Sequence, residues 1–373
     1  MLELFLYTTY ATFGGLGFVA LRQIRFAAIH FNPPQQQTRR SDDLLPTVTV
    51  CIPARNEDHA MADCLQRVLA STYPKLEIIV LDDASVDNTS ALIKSFAHEG
   101  VRFVEGATLP AGWLGKNHAL EELREEASGD FILFLDVDTR ITPRAIEHLV
   151  NYMLDEGVTM TSVLSRREDG WRGSVVFSPL RYFWEVLFHR NQTPAVSGSA
   201  WLVDRADLAA YGGFSSLRDA VKPESALANH FAQDGQYRFL VSTKAFGFGL
   251  EKKWRSQLLT SVRLLRPALS GSWLRLFVVL FDLALLLVPV AIAAGAFNLG
   301  LIHQIIAGVL VVLQMAVYGS YTHRVWARGS LIGALLWPVL VAQEMILMVA
   351  SFVLYARGKV TWKGRPIRSE AQS

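Results

Sequence analysis

Two aspartates with one residue between them, Asp136 and Asp138, stand at the end of the apolar run Phe131–Leu135. Carboxylates so spaced can share one divalent cation, directly or through water. A hard ion such as Mg2+ or Mn2+ suits oxygen ligands and would screen a diphosphate. The competing reading is a strand that ends in solvated acids and a turn. Two further loops carry related chemistry: Pro53-Ala54-Arg55-Asn56-Glu57 and Asp82-Asp83-Ala84-Ser85-Val86-Asp87 each follow an apolar run. Their carboxylates can accept bonds from a base N–H or from ribose hydroxyls, and Arg55 offers a planar fork to phosphate. Asp87 with Asn88 reads instead as a turn cap. Lys116 follows Gly112-Trp113-Leu114-Gly115; there it either meets a diphosphate or is a solvated lysine in the first turn of a helix.

These residues need elements to hold them. Residues 48–52, 76–81, 101–104 and Phe131–Leu135 read as strands. The intervening stretches Asp58–Leu69, 89–98 and 116–126 read as helices, the first through Met61, Leu65, Val68 and Leu69 at helical spacing. Strand–helix alternation implies an α/β fold with a mostly parallel sheet and right-handed connections, which binds ligands at the C-terminal ends of its strands. No G-x-G-x-x-G follows the first strand and no G-x-x-x-x-G-K-[ST] occurs, which counts against dinucleotide oxidoreduction and P-loop chemistry.

The rest of the chain is built for another solvent. The hydrophobic fraction is 51% and the mean hydropathy +0.25, high for a soluble enzyme. A net charge of +2 leaves no nucleic-acid footprint. Cys51 and Cys64 imply no disulfide framework, and Cys51 reads as a small buried hydrophobe. Residues 1–30 hold an uncharged apolar stretch followed by Arg22 and Arg25, the pattern of a transmembrane anchor whose following side is cytoplasmic. Residues 31–46 have linker composition, and 47–255 form the α/β unit. Residues 256–272 interleave Arg263 and Arg266 with Leu264 and Leu265, as an interfacial amphipathic helix on anionic lipid would. Within 273–356 come three apolar stretches of near-spanning length, 276–297, 301–318 and 331–355. Asp282 and Glu344 inside them are expected to face the interior or to serve a function. Pro338 interrupts the third stretch, making it re-entrant or bent, and this keeps the basic tail 357–373 on the cytoplasmic side. The expectation is a multi-pass protein of the cell membrane with a cytoplasmic α/β unit.

The loop and strand signatures have a family likeness. IPARNE (52–57), LDDASVDNT (81–89), GWLGKNHA (112–119), FLDVDT (134–139), SGSAWLVDR (197–205) and YGGF (211–214) together resemble the inverting glycosyltransferases of family 2. The likeness covers residues 47–250 and is strongest to the membrane-bound branch that includes carotenoid (diaponeurosporenoate) and hopanoid-associated glycosyltransferases. It implies a GT-A nucleotide-sugar-binding fold, with transmembrane helices added. It also implies that Pro53, Glu57 and Asp83 hold the nucleotide base and ribose, that Asp136 lies beside the sugar and ribose, and that Asp138 binds Mg2+ or Mn2+. Arg55 and Lys116 complete the donor set, and the donor is a UDP-sugar. Gly198, Ser199 and Gly212-Gly213 allow close backbone approach, for an acceptor or for a tight turn.

Relatives carry an acidic pair before a Leu-Ala that supplies the general base; here the pair reads Pro223-Glu224. Glu224, expected to open a helix over 225–231, is the candidate base, and Asp219 is the reserve. The competing reading of Glu224 is a charge that complements the helix dipole. Processive relatives carry Gln-x-x-Arg-Trp where this chain has Glu251-Lys252-Lys253-Trp254-Arg255-Ser256, which implies non-processive transfer. Trp254 and Arg255 either close over the donor or anchor at the interface. The implied acceptor is apolar: a polyprenyl, carotenoid or hopanoid lipid. Two alternatives stand beside this. A nucleotidyltransferase would need a glycine-rich, lysine-bearing first loop, which is absent. A catalytically silent membrane scaffold that retains donor binding would explain the altered Pro223-Glu224 pair.

Overall fold

The computed structural model describes residues 2–34, 40–168 and 176–366. Positions 35–39 of the expected linker and 367–373 of the expected tail lie outside the described residues.

The central sheet has seven strands, and its four strongest sequence signals lie side by side in it. β1 (Val48–Ala54), β2 (Leu76–Asp82), β3 (Val101–Glu105) and β4 (Phe131–Leu135) are mutually parallel, in the order β3-β2-β1-β4. β8 (Ala200–Asp204) runs antiparallel beside β4 and is followed by β6 (Met160–Leu164) and β9 (Tyr237–Val241). A smaller sheet orders β5 (Thr139–Ile141), β10 (Phe248–Leu250) and β7 (Arg166–Arg167). This is an α/β fold of GT-A-like type with a mixed, mostly parallel sheet.

Both faces of the sheet are covered at its centre, which is why β4 is apolar and buried at every position rather than alternating. Val50, Ile52, Leu133 and Leu135 pack under the helices Asp58–Leu69 and Ala145–Glu156. Cys51, Ile132 and Phe134 enter the opposite core with Leu120, Leu123 and Leu227. That second core continues without a break into Tyr318, Trp337 and Phe352 of the apolar helices. Cys51 is fully buried, as a small hydrophobe would be.

Among the described residues, four helices are long and apolar enough to cross a membrane: Glu3–Ala27, Trp273–Ala293, Leu301–Val325 and Trp337–Ala356. Large apolar side chains such as Phe5, Phe18, Phe277, Phe281 and Ile346 are exposed on them, a surface that lipid would cover. Of the two acids in the last three apolar helices, Glu344 is buried and accepts the backbone N–H of Leu180 at 3.2 Å, at the start of the helix Arg181–Leu187. Asp282 departs from the expected inward position: it is exposed, because Leu283, one helical step on, takes the inward position.

The third apolar stretch is broken where Pro338 requires it. A short helix Ser330–Leu335 ends, and a new helix begins at Trp337 with the proline in its first turn, where its missing N–H costs nothing. Immediately after this helix, β11 (Thr361–Trp362) and β12 (Arg365–Pro366) form a hairpin. The hairpin lies against the loops that follow β1 and β2. The chain therefore returns to the side of the α/β unit, which an even number of complete crossings between Leu250 and Thr361 allows and three do not.

Candidate active site

The loops after β1, β2 and β4 converge because their strands are parallel neighbours. β4 is anchored across to β8 by Phe134, which stacks on its cross-strand partner Trp201 with ring centroids 4.3 Å apart. Just past the strand end, the N–H of Asp136 and the hydroxyl of Thr139 both donate to the carbonyl of Ser199, each at 2.9 Å. The Asp136 carboxylate takes an ion pair from Lys116 Nζ at 3.0 Å. Burial would raise its pKa, but the ammonium groups of Lys116 and Lys252 outweigh burial and hold it below the usual carboxylate value. Lys116 thus meets an acid rather than solvent.

Asp138 pairs with Lys252 Nζ at 3.2 Å. Its backbone carbonyl accepts from Glu251, which ties the turn to the end of β10. One oxygen each from Glu57 and Asp138 and a ring nitrogen of His59 lie within 4.8 Å of one another. Burial, reinforced by Lys253, lowers the His59 pKa, which favours the neutral ring that ligates metals. Two carboxylates suit a hard divalent ion, and the imidazole is compatible with Mn2+. The residues present fit such an ion.

Glu57 and Asp83 are both answered by the C-terminal hairpin. Lys363 Nζ reaches Glu57 at 2.7 Å and the Asn56 carbonyl at 3.2 Å. Arg365 donates from Nη1 to both Asp83 oxygens, at 2.7 and 2.6 Å. Arg55 donates from Nε to the Lys363 carbonyl at 3.1 Å and from Nη1 to the carbonyls of Asp83 and Ala84. Asn56, Ala84 and Lys363 all have φ near +50°, so three left-handed non-glycine residues gather at this junction, and backbone strain of this kind collects where surrounding contacts enforce it. Burial raises the Glu57 pKa, and Lys363 offsets part of that. Pro53 lies in β1 opposite Leu81. Asp87 caps the next helix by accepting from the N–H and hydroxyl of Thr89, the turn role expected of it.

On the other side of Asp136 a cavity of about 120 Å³ opens between the α/β unit and the apolar helices. Glu224 lines it, from the first turn of the helix Pro223–Gln233. The side chain is buried, and among the described residues no hydrogen-bond or ion-pair partner stands against its carboxylate. Gly198 makes room for it, since a Cβ there would collide with Oε1 of Glu224. The segment leading to this helix is held by Asn117, whose Nδ2 donates to the carbonyls of Leu217 at 2.6 Å and Ala220 at 2.8 Å. Asp219 is exposed and does not line the cavity. Gly212 and Gly213, at φ +96° and +64°, form a structural turn after the helix Arg205–Tyr211. Trp254 is exposed at the start of the helix Trp254–Ala268.

The structure thus brings Lys116, Asp136 and Glu224 to one cavity, sets Asp138 beside it through Lys252, gathers Arg55, Glu57 and Asp83 at the hairpin junction, and leaves Asp219 outside the cavity. The sequence reading missed His59, whose signal was its place two residues after Glu57. It also missed Lys363 and Arg365. Arg263, placed by periodicity on a lipid-facing helix surface, lines the cavity instead.

Comparison with known proteins agrees with this geometry. Residues 49–212 match the family model for glycosyl transferase family 2. A hyaluronan synthase of Streptococcus pyogenes is 36% identical over 116 residues, 30% of this chain and 27% of its own. The 4,4'-diaponeurosporenoate glycosyltransferase of Staphylococcus aureus is 32% identical over 106 residues, 28% of each chain. An uncharacterised Mycobacterium tuberculosis protein is 31% identical over 152 residues, 40% of this chain and 46% of its own. The chain thus spans roughly a quarter to a half of the length of these relatives. A mannosyltransferase from Pyrobaculum calidifontis, solved with GDP-Man and Mn2+, superposes with a TM-score of 0.57 at 19% identity, covering 94% of this chain and 98% of that one. Residues 49–212 are therefore similar to glycosyl transferase family 2, on a GT-A-like fold joined to apolar helices of membrane-spanning length.

Proposed function

We propose that the protein transfers a sugar, with inversion, from a nucleotide-sugar to an apolar or lipid acceptor at the membrane. One observation carries the reading. The acid-lined donor end and the partnerless, buried Glu224 flank Asp136, in a cleft whose far wall is made of apolar helices. The match of residues 49–212 to glycosyl transferase family 2 supports nucleotide-sugar chemistry, and the sequence signatures favour a UDP-linked donor. Asp83 and the neighbouring loops bind the base and ribose, and Lys116 and Arg55 face phosphate oxygens. Glu57, His59 and Asp138 are the residues that would hold Mg2+ or Mn2+. When bound, such an ion neutralises charge on the departing diphosphate. Glu224 accepts the proton of an acceptor hydroxyl as its oxygen bonds to the anomeric carbon. The bond from that carbon to the phosphate oxygen breaks, and the nucleoside diphosphate leaves with the electron pair. One displacement inverts the configuration.

The carotenoid, polyprenyl or hopanoid class of acceptor is supported by the apolar wall and by the diaponeurosporenoate glycosyltransferase likeness. Non-processive transfer is supported by Glu251–Ser256 standing in place of Gln-x-x-Arg-Trp. The α/β unit lies in the cytoplasm on this reading, with the hairpin beside it. The test is a screen of nucleotide-sugars with Mn2+ against total membrane lipids, using full-length protein in detergent and measuring product mass and the released group. Nucleoside diphosphate release with a glycosylated lipid is the expected outcome. Pyrophosphate release would mean nucleotidyl transfer, and donor binding without turnover on any lipid would mean a silent scaffold. Sidedness is read by labelling Lys359→Cys and Asp219→Cys in sealed vesicles. Both should react from the same side, while the buried Cys51 and Cys64 stay silent.

A further inference from the structure

The cavity beside Glu224 is too cationic for a purely neutral lipid. Six of its lining side chains are cationic and two are carboxylates. Three of the six are answered within the chain: Lys116 by Asp136 at 3.0 Å, Lys252 by Asp138 at 3.2 Å and Lys222 by Glu185 at 2.7 Å. A fourth, Arg167, donates to the Lys252 carbonyl at 3.4 Å, whereas Arg181 and Arg263 have no ion-pair partner among the described residues. Among the described residues no carboxylate lies within 4.0 Å of either guanidinium. Arg181 rests its Cζ 4.4 Å over the Tyr182 ring, and the buried Nε of Arg263 has no hydrogen-bond partner. Burial depresses the Arg263 pKa; Asp136 opposes that and the like charge of Arg181 adds to it. Burial would also lower the Arg181 pKa, but the Tyr182 hydroxyl and the charges of Glu185 and Glu344 outweigh it; the desolvated Arg263, with a buried donor to spare, is the costlier of the two to keep unless an anion answers it.

The surroundings say what kind of anion. Tyr318, Tyr321, Val325 and Trp326 of the apolar helix Leu301–Val325 and its end line the same cavity. The cavity is lined by Asp136 and by Lys252, the ion-pair partner of Asp138, but by none of Glu57, His59 and Asp138 themselves, so it adjoins the candidate metal cluster without containing it. A guanidinium pair under an aromatic and apolar wall, on the Glu224 side of the cleft, matches a molecule with a charged oxyanion head and a hydrocarbon body.

We infer that this cavity takes the anionic headgroup, phosphate or carboxylate, of an amphiphilic acceptor, held by Arg181 and Arg263 with its apolar chain along the helix Leu301–Val325. The inference rests on the transferase reading for the word acceptor, and on the cavity alone for the anion. It narrows the apolar acceptor to an acidic one.

The test uses full-length protein in a neutral detergent and titrates decyl phosphate, decanoate, decanol and inorganic phosphate by calorimetry. Decyl phosphate or decanoate should bind at least tenfold tighter than decanol, and decyl phosphate tighter than inorganic phosphate, on the order of one charge-assisted contact. Arg181→Gln and Arg263→Gln should each lose roughly tenfold or more, and Arg181→Lys should recover part of that loss by restoring charge. Binding should persist with saturating nucleoside diphosphate and Mn2+. Equal affinity for decanol overturns the inference, as does displacement of decyl phosphate by nucleoside diphosphate, which would assign the guanidiniums to the donor. Inorganic phosphate binding as tightly as decyl phosphate overturns the amphiphile. The wild-type comparison stands even if a variant fails to fold. The two readings also fail separately. If decyl phosphate binds through the arginines while no nucleotide-sugar turns over, transfer falls and the anion site stands. If sugar reaches only neutral lipids and decyl phosphate is ignored, transfer stands and the anion site falls.

Discussion

On the donor side of the cleft each acid already faces a cation of the chain: Asp136 has Lys116, Asp138 has Lys252, Glu57 has Lys363 and Asp83 has Arg365. On the acceptor side Glu224, Arg181 and Arg263 face no such partner among the described residues. The loops after β1, β2 and β4 are thereby held by ion pairs within the chain, and on the proposed reading an incoming metal or hydroxyl would exchange with a cation already in place. On the Glu224 side the charges answer one another without direct pairing: Arg263 feels Asp136 and Glu224, and Arg181 feels Glu185 and Glu344. Paired groups hold geometry, whereas unpaired buried groups cost stability and mark where chemistry or binding is expected.

The largest effect expected from breaking this contrast is at Glu224. Glu224→Gln should cut turnover on a hydroxyl acceptor by roughly 10²–10⁴-fold, the range for a lost general base. Nucleotide affinity should hardly change, since other loops carry it. Asp219→Asn is the control and should stay near wild type, because the residue is exposed outside the cleft. Near-wild-type turnover by Glu224→Gln with Asp219→Asn inactive would move the role to Asp219. On a carboxylate or phosphate acceptor, already ionised, Glu224→Gln should cost much less.

Next in size is Asp138→Asn. It keeps the shape of the side chain and removes its charge, so activity should fall by roughly 10²–10³-fold, as when an electrostatic stabiliser is removed. The fold should survive, with an unchanged circular dichroism spectrum. Wild-type turnover that persists under a strong chelator would defeat the claim.

The two sides were not equally legible in the sequence. Donor acids follow directly on apolar strands, so periodicity located β1, β2 and β4 and the loops Glu57, Asp83, Asp136 and Asp138 together. Pro338 likewise announced the break at Leu336. The partners that answer these acids come from far along the chain, Lys363 and Arg365 from beyond the last apolar helix, and local pattern carries no signal of such a pairing. Arg263 shows the other limit. Amphipathic spacing in 256–272 tells which residues share a helix face; it does not tell whether lipid or a cavity covers that face.

The pairing of Asp83 with Arg365 offers a smaller, sharper break. Asp83 is almost fully buried, so Arg365→Gln should leave a desolvated carboxylate and destabilise the protein by about 1–3 kcal/mol. The loss should appear as a lower Tm in detergent. Asp83→Asn combined with Arg365→Gln should be less destabilised than the sum of the single changes, because neither leaves a lone charge behind. An additive cycle would mean that the hairpin only rests on the donor loops.

The smallest expected effect concerns acid and the acceptor side. His189 accepts the backbone N–H of Ala195 on Nδ1 at 3.0 Å, three residues before Gly198, the glycine that makes room for Glu224. Burial lowers the His189 pKa from 6.5 to about 4. In the folded protein the ring therefore stays neutral where the unfolded chain already takes up a proton. The unfolded state binds more protons in this interval, so stability falls as pH falls. The contribution of His189 is fully present above about 6.5, declines on acidification and is exhausted below about 4. Protonation removes the lone pair that receives Ala195, so the segment 195–199 should loosen first. The donor-side Asp136, whose pKa is lowered, retains its contribution until the pH drops through the carboxylate range. Hydrogen exchange at Ala195 should therefore accelerate between pH 6.5 and 4.5, ahead of exchange in β1 and β4. His189→Asn, which can still accept the bond but does not titrate, should flatten that dependence, with His59→Asn as a control for the other histidine held neutral. Identical exchange profiles for wild type and His189→Asn would show that acid acts on the acceptor side through another group.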